Sequence, residues 1–117
     1  MKKILPALII SFVLSTSNSI AQMAVDIEPL KGNILATAVT VDATADALPA
    51  TALTGRKSIL VKNNSSTTVY IGSSVVTTLT GIPLLQYDSI ILDASEEIVV
   101  YGITAAGSAD IRVLEIR

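Results

Sequence analysis

The chain has 117 residues, which suits one domain better than two. Half of the residues are hydrophobic, so composition does not place the chain among disordered proteins, and an aromatic share of 3% means that any core is mostly aliphatic. The net charge is −2 without a cluster of Lys and Arg, which argues against nucleic acid as a partner. Because Cys and His are absent, the chain has no disulfide, no thiolate chemistry and no imidazole base or ligand.

Residues 1–21 resemble a secretory signal peptide. Two lysines precede an apolar run over residues 4–14, a polar stretch follows, and small residues occupy the two positions read by signal peptidase, the second being Ala21. The apolar run is well short of the roughly 20 residues that cross a bilayer as a helix. We therefore expect a cleaved leader and no membrane span. The alternative is that Met23 is the true start, which would make residues 1–21 an upstream extension.

Residues 22–34 are predicted to form an extended N-terminal arm ahead of a domain over residues 35–117. The arm contains a proline and a glycine and shows no hydrophobic periodicity. Its apolar side chains are the predicted contacts with other subunits: Val25, Ile27, Pro29 and Leu30.

The remainder of the chain predicts about seven short strands separated by turn residues. The segments are rich in Val, Ile and Thr, which favour strands. They cover residues 35–41, 58–62, 68–71, 75–79, 89–92, 98–101 and 109–116. Asn and Ser at 63–66 predict a hairpin that joins the second and third strands. Residues 42–55 are expected to form a long connection, with a short helical turn at 43–48 as an option.

This spacing favours an all-β fold, a single antiparallel β-sandwich of the jelly-roll or immunoglobulin type, because no helix of crossover length lies between strands. Residues 90–92 and 98–100 are apolar at successive positions, so both faces of those predicted strands are hydrophobic. Two explanations remain open: a neighbouring subunit covers one face, or a single chain has a thick core.

Catalytic candidates are weak, and we expect neither an enzyme nor a cofactor or metal site. Glu96 and Glu97 would point to opposite faces of a strand and are best interpreted as a charged turn. Asp42 and Asp46 lack the spacing of a calcium loop. The basic pair at 56–57 is interpreted as a solvated strand start rather than a phosphate site, since no Gly-rich loop follows.

Tyr70, Tyr87 and Tyr101 are too scattered to predict a sugar-stacking platform, and a carbohydrate-active domain is the weakest hypothesis considered.

Five segments together resemble a group of small virion proteins of tailed bacteriophages. The pattern L-P-x-x-x-L-x-G-R-K covers residues 48–57, a strand then ends at Asn63, and V-Y-I-G and T-G-I-P-L follow at 69–72 and 80–84. The pattern Y-G-I-x-A-x-G-x-A-D-x-R-V-L-E closes the domain at 101–115.

The resemblance implies a β-sandwich that acts as a structural virion component, such as a head decoration, head-fibre or tail-associated protein. It implies copies of the chain and other virion proteins as partners, a homo-oligomer, and location in the virion. The leader-like segment departs from this group, because virion proteins assemble in the cytoplasm. The alternative hypothesis is an exported bacterial surface or filament subunit, or a binding module, secreted or held at the cell surface and built on the same sandwich.

Overall fold

The fold is taken from a computed structural model that describes residues 31–117. In this part of the chain all regular structure is β-strand. The strands are β1 (Ile34–Val41), β2 (Asp46–Leu48), β3 (Ser58–Asn63), β4 (Val69–Gly72), β5 (Ile82–Leu84), β6 (Ser89–Leu92), β7 (Val100–Thr104) and β8 (Ala109–Ile116).

The strands form two antiparallel sheets of four strands each, which confirms the predicted β-sandwich. Sheet I has the order β1-β8-β3-β6, and sheet II has the order β2-β7-β4-β5. Alternate side chains of the central strands β8 and β3 point into one aliphatic core, in which Ile59, Val61 and Ile111 are fully buried. The period-two pattern predicted for these strands is therefore the pattern of their burial.

The first and last strands of the described domain lie side by side. Strand β1 pairs with β8 along its whole length, and the Arg117 amide donates to the Asn33 carbonyl at 3.0 Å beyond the last paired residues. Gly32 then packs so closely on Arg117 that a Cβ would lie 2.5 Å from the carbonyl oxygen of that residue. The chain thus enters β1 beside the point where β8 ends.

The predicted hairpin between the second and third strands is wrong. Strand β3 pairs with β6 and β8 in sheet I, whereas β4 pairs with β5 and β7 in sheet II. Residues 64–68 therefore cross between the sheets. The crossing is held by the buried side chain of Asn63, whose amide donates to the carbonyls of Thr67 in the connection and of Leu84 in sheet II.

Four other details differ from the prediction. The described domain has eight strands rather than about seven, because the connection over residues 42–55 contains the short strand β2 and no helical turn. Residues 75–79 form a loop rather than a strand, and the proline-containing segment that follows forms strand β5, which is not among the predicted strands. A proline is tolerated there because β5 is an edge strand. Strand β7 begins at Val100 and continues through Gly102, so the reversal lies at 105–108.

The predicted leader and the arm contacts Val25, Ile27, Pro29 and Leu30 lie outside the described residues. Within residues 31–117 there is no helix with the length and hydrophobicity needed to cross a membrane.

Candidate functional site: an open apolar face and two buried polar clamps

The outer face of sheet I carries an apolar row that crosses its four strands. Strand register places Ala36 opposite Leu114, Leu114 opposite Leu60, and Leu60 opposite Ile91. Leu60 and Leu114 are half-buried, and Ile91 is 67% exposed. A contiguous apolar face of this kind is typical of surfaces that contact another molecule.

A groove of about 430 Å³ lies on this face. We call it the sheet I groove, and its lining residues are Ala36, Thr37, Ala38, Leu60, Lys62, Arg112, Val113 and Leu114. The lining residues form two rows of outward side chains that cross β1, β8 and β3. One row is Ala36, Leu114 and Leu60, the other is Ala38, Arg112 and Lys62, and Thr37 and Val113 occupy the positions between the rows.

Two cations border the apolar row. Lys62 and Arg112 are directly opposite each other on β3 and β8. Two like charges in such a cross-strand pair normally destabilise a sheet. Lys62 lies 5.9 Å from the centre of the Tyr87 ring and forms no salt bridge within the described residues. Arg112 contacts Asp110 at 2.8 Å in an exposed pair.

The exposed pair shifts the ionisation of both partners. The hydrogen bond from the Arg112 guanidinium, with a second from the Asn64 amide, lowers the pKa of Asp110 below its ordinary value. The same hydrogen bond raises the pKa of Arg112. Asp110 offsets one of the two cations, and within residues 31–117 no salt bridge offsets the charge of Lys62.

Within residues 31–117, strand β1 is an edge of sheet I with no strand paired to its outer side. It lies at one end of sheet I, is eight residues long, and contains neither proline nor a charged residue. Proteins usually protect such an edge with short length, charge, proline or a bulge. The edge of β1 is therefore suited to pairing with a further strand.

Further exposed apolar side chains lie on the connections beside sheet II. Leu79 is 95% exposed and Val75 is 80% exposed in the loop between β4 and β5. This loop has an ordered conformation, because Val76 is buried against Gly72 and Gly81, where an added Cβ would come within 2.8 Å of its Cγ2 atom. The loop thus holds two apolar side chains in solvent on a packed base.

The interpretation of residues 56–57 as a solvated pair is wrong for Arg56, which is 2% exposed. Its guanidinium pairs with Glu115 at 2.9 Å and donates to three backbone carbonyls of the segment before β7, those of Ala94, Ser95 and Ile98. Burial is tolerated because carboxylate and carbonyls together replace the water that a guanidinium requires. Lys57 is exposed, as predicted.

Glu115 on strand β8 is the ion-pair partner of Arg56, and we call these two buried side chains the first clamp. One carboxylate oxygen accepts both from Arg56 and from the Leu53 amide at 2.9 Å, and the other has no hydrogen-bond partner among the described residues. The clamp therefore ties the segments before β3 and before β7 to the last strand, and its role is to hold loops in place.

Asn63 forms the second clamp, at the opposite end of β3. Its side chain is fully buried, and its amide donates to the carbonyls of Thr67 at 2.8 Å and Leu84 at 2.9 Å. Its oxygen accepts from the backbone amide and the hydroxyl of Ser65. These contacts fix the crossing from sheet I to sheet II.

The other polar candidates do not converge. The Asp46 carboxylate accepts from the backbone amide of Asp42, and the Asp42 carboxylate accepts from the amide of Thr44. The Glu96 carboxylate accepts from the amide of Gly55. Each of these three carboxylates therefore holds backbone in a loop. No group of three or more acidic residues that could hold a metal ion occurs in residues 31–117. Glu97 is exposed.

The tyrosines are partly brought together. Tyr70 lies opposite Ile103, and Tyr101 lies opposite Gly72, so the two rings occupy diagonal positions on the outer face of sheet II. Tyr87 lies elsewhere, near Lys62.

Sequence reasoning missed the pairing of Arg56 with Glu115, although both belong to the motifs quoted above. A signal was available: the last strand alternates Ile111, Val113 and Glu115 on one face, so the pattern places a carboxylate in the core. A buried carboxylate requires a cation, and Arg is the residue best suited to pair with it.

Comparison with known proteins yields no relative: no family model, no curated protein and no solved structure matches the chain.

Proposed function

We propose that the domain is a structural component of a tailed-bacteriophage virion that acts by contacts between subunits and catalyses no reaction. The single observation that supports this most is the open apolar face of sheet I, where Leu60, Leu114 and Ile91 form a row without cover from the described part of the chain. A contiguous exposed apolar face of this kind is typical of a contact surface, and subunit assembly would bury it.

The distribution of the quoted motifs also supports the proposal. Their residues include Arg56, Asn63 and Glu115, whose buried side chains hold loops in place, and Gly72 and Gly81, where a Cβ would lie 2.8 Å from Cγ2 of Val76. A resemblance carried by such residues is a resemblance in scaffold. It is compatible with a role in which surfaces, rather than a reactive centre, perform the function.

The decisive test is to purify phage particles from the source of the chain and to search their proteins by mass spectrometry. The chain is expected in particles at a fixed ratio to the capsid or tail proteins. If it is absent from particles and present in the cell envelope or medium, the proposal is wrong.

A second candidate is an exported surface or filament subunit that polymerises by strand addition, and the edge of β1 specifically favours it. The intact mass of the native protein separates the two. A first residue of Gln22 supports export, whereas Met23 or Ala24 supports the virion.

A further inference from the structure

We propose that the sheet I groove receives residues 25–30 of a second copy of this chain. The inference rests on the proposed function in one respect, because it names the partner and the contact through which subunits assemble. It depends on the groove, on the charges beside it, and on the sequence of the six residues.

The six residues are complementary to the groove in hydrophobicity and in charge. Their sequence is V-D-I-E-P-L, in which Val25 and Ile27 alternate with Asp26 and Glu28. In an extended segment the two apolar side chains point to one side and the two carboxylates to the other. An extended chain lying flat on sheet I therefore offers an apolar edge and an acidic edge.

The outer face of sheet I has two matching rows. The row with Leu114 and Leu60 is apolar, and the next row along the strands holds Arg112 and Lys62. A segment lying between the rows would place Val25 and Ile27 over the leucines and the carboxylates beside the cations.

The spacings agree. Carboxylates two positions apart in an extended chain are separated by about 7 Å, and neighbouring strands lie about 5 Å apart, a difference that long Lys and Arg side chains span. The Asp110 carboxylate contacts Nε and Nη2 of Arg112, which leaves Nη1 without a partner in residues 31–117.

A second copy fits better than the same copy. Asn33 is already bonded to Arg117 beside the β1–β8 ladder, so return of the arm to its own groove would require a full reversal within residues 31–33. The acidic arm of another copy meets no such constraint, and it supplies carboxylates to the row that holds Lys62 and Arg112.

Charge exchange tests this pairing. One variant carries Asp26→Lys and Glu28→Lys, and the other carries Lys62→Glu and Arg112→Glu; both keep the first residue found by intact mass in the native protein. Sedimentation velocity over a range of concentrations measures self-association, and the far-UV circular dichroism spectrum verifies folding. Lys57→Glu, an exposed change of the same kind outside the groove lining, is the matched control.

The native chain and the control are expected to associate equally, and each variant alone to associate about tenfold more weakly, since two exposed charge pairs become repulsive. An equimolar mixture of the two variants regains association, because each reversed arm then meets a reversed groove. Unchanged association of either variant, or a mixture as weak as its components, overturns the inference. A chain found in particles with no recovery in the mixture refutes the groove alone, whereas recovery without incorporation refutes the virion proposal alone.

Discussion

Replacing Arg56 by Met tests how much the buried ion pair between Arg56 and Glu115 stabilises this domain. Arg56 is 2% exposed, and its loss leaves the buried carboxylate of Glu115 without a cation and removes one hydrogen-bond donor from each of three backbone carbonyls. Breaking a buried ion pair by removing one partner costs about 3–5 kcal/mol. A domain the size of residues 31–117 has a free energy of unfolding of about 4–13 kcal/mol. The substitution should therefore remove a large part of the stability.

The assay is urea unfolding followed by far-UV circular dichroism, with thermal unfolding as a second measurement. For a domain of this size, a loss of about 3–5 kcal/mol lowers Tm by roughly 12–40 °C. Lys57→Met is the control, because Lys57 is the next residue and is exposed. Its Tm should equal that of the native chain.

A double variant, Arg56→Met with Glu115→Gln, isolates the charge. The amide oxygen of the introduced Gln can still accept from the Leu53 amide, and no uncompensated carboxylate remains. The double variant should be more stable than Arg56→Met by at least about 1 kcal/mol. A loss below about 1 kcal/mol for Arg56→Met, or no recovery in the double variant, would refute the reasoning.

Three further predictions follow from single contacts. Asn63→Ala removes two buried hydrogen-bond donors and should lower the free energy of unfolding by about 2–4 kcal/mol in urea titrations, whereas Asn64→Ala, an exposed neighbour, should change it little. Gly81→Ala places a Cβ 2.7 Å from Cβ of Tyr70 and should cost about 1–3 kcal/mol by the same method, and an unchanged midpoint would mean that the loop yields freely. Arg112→Gln should raise the pKa of Asp110 in a carboxyl-carbon NMR titration, because the Arg112 hydrogen bond lowers that pKa in the folded chain. The pair therefore stabilises the fold at pH values above the ordinary Asp pKa of about 3.9. This stabilisation is lost as the pH falls through the lower pKa of the folded state.

Strand positions were predictable from sequence where one face is buried. The alternation in residues 109–116 and the run at 58–62 locate β8 and β3, because period-two burial leaves a direct record in the sequence. The apolar run at 75–79 does not locate a strand, since Val76 packs on two glycines while Val75 and Leu79 remain in solvent. Hydrophobicity alone cannot separate those two outcomes.

Partner choice between strands was not predictable from local sequence. Turn residues at 63–66 suit a hairpin as well as a crossing between sheets, and the decision depends on Asn63, whose amide bonds to Leu84 far along the chain. An apolar face covered by a neighbouring subunit was one of two explanations predicted for residues 90–92 and 98–100, and of these residues Ile91 lies in the apolar row on the outer face of sheet I. The position of the candidate surface was not predictable, because the sheet I groove requires the register of β1, β8 and β3.

The adjacency of β1 and β8 has a consequence for how the domain is displayed. The chain enters at Gly32 and reaches Arg117 at one pole, while the turns at 42–45, 64–68 and 105–108 lie at the other pole. A segment joined before Gly32 and a segment fused after Arg117 would therefore leave the domain at the same end. A tag inserted at 105–108, where a Cβ added to Gly107 would meet no atom within 4 Å, would therefore lie at the end of the domain opposite Gly32 and Arg117.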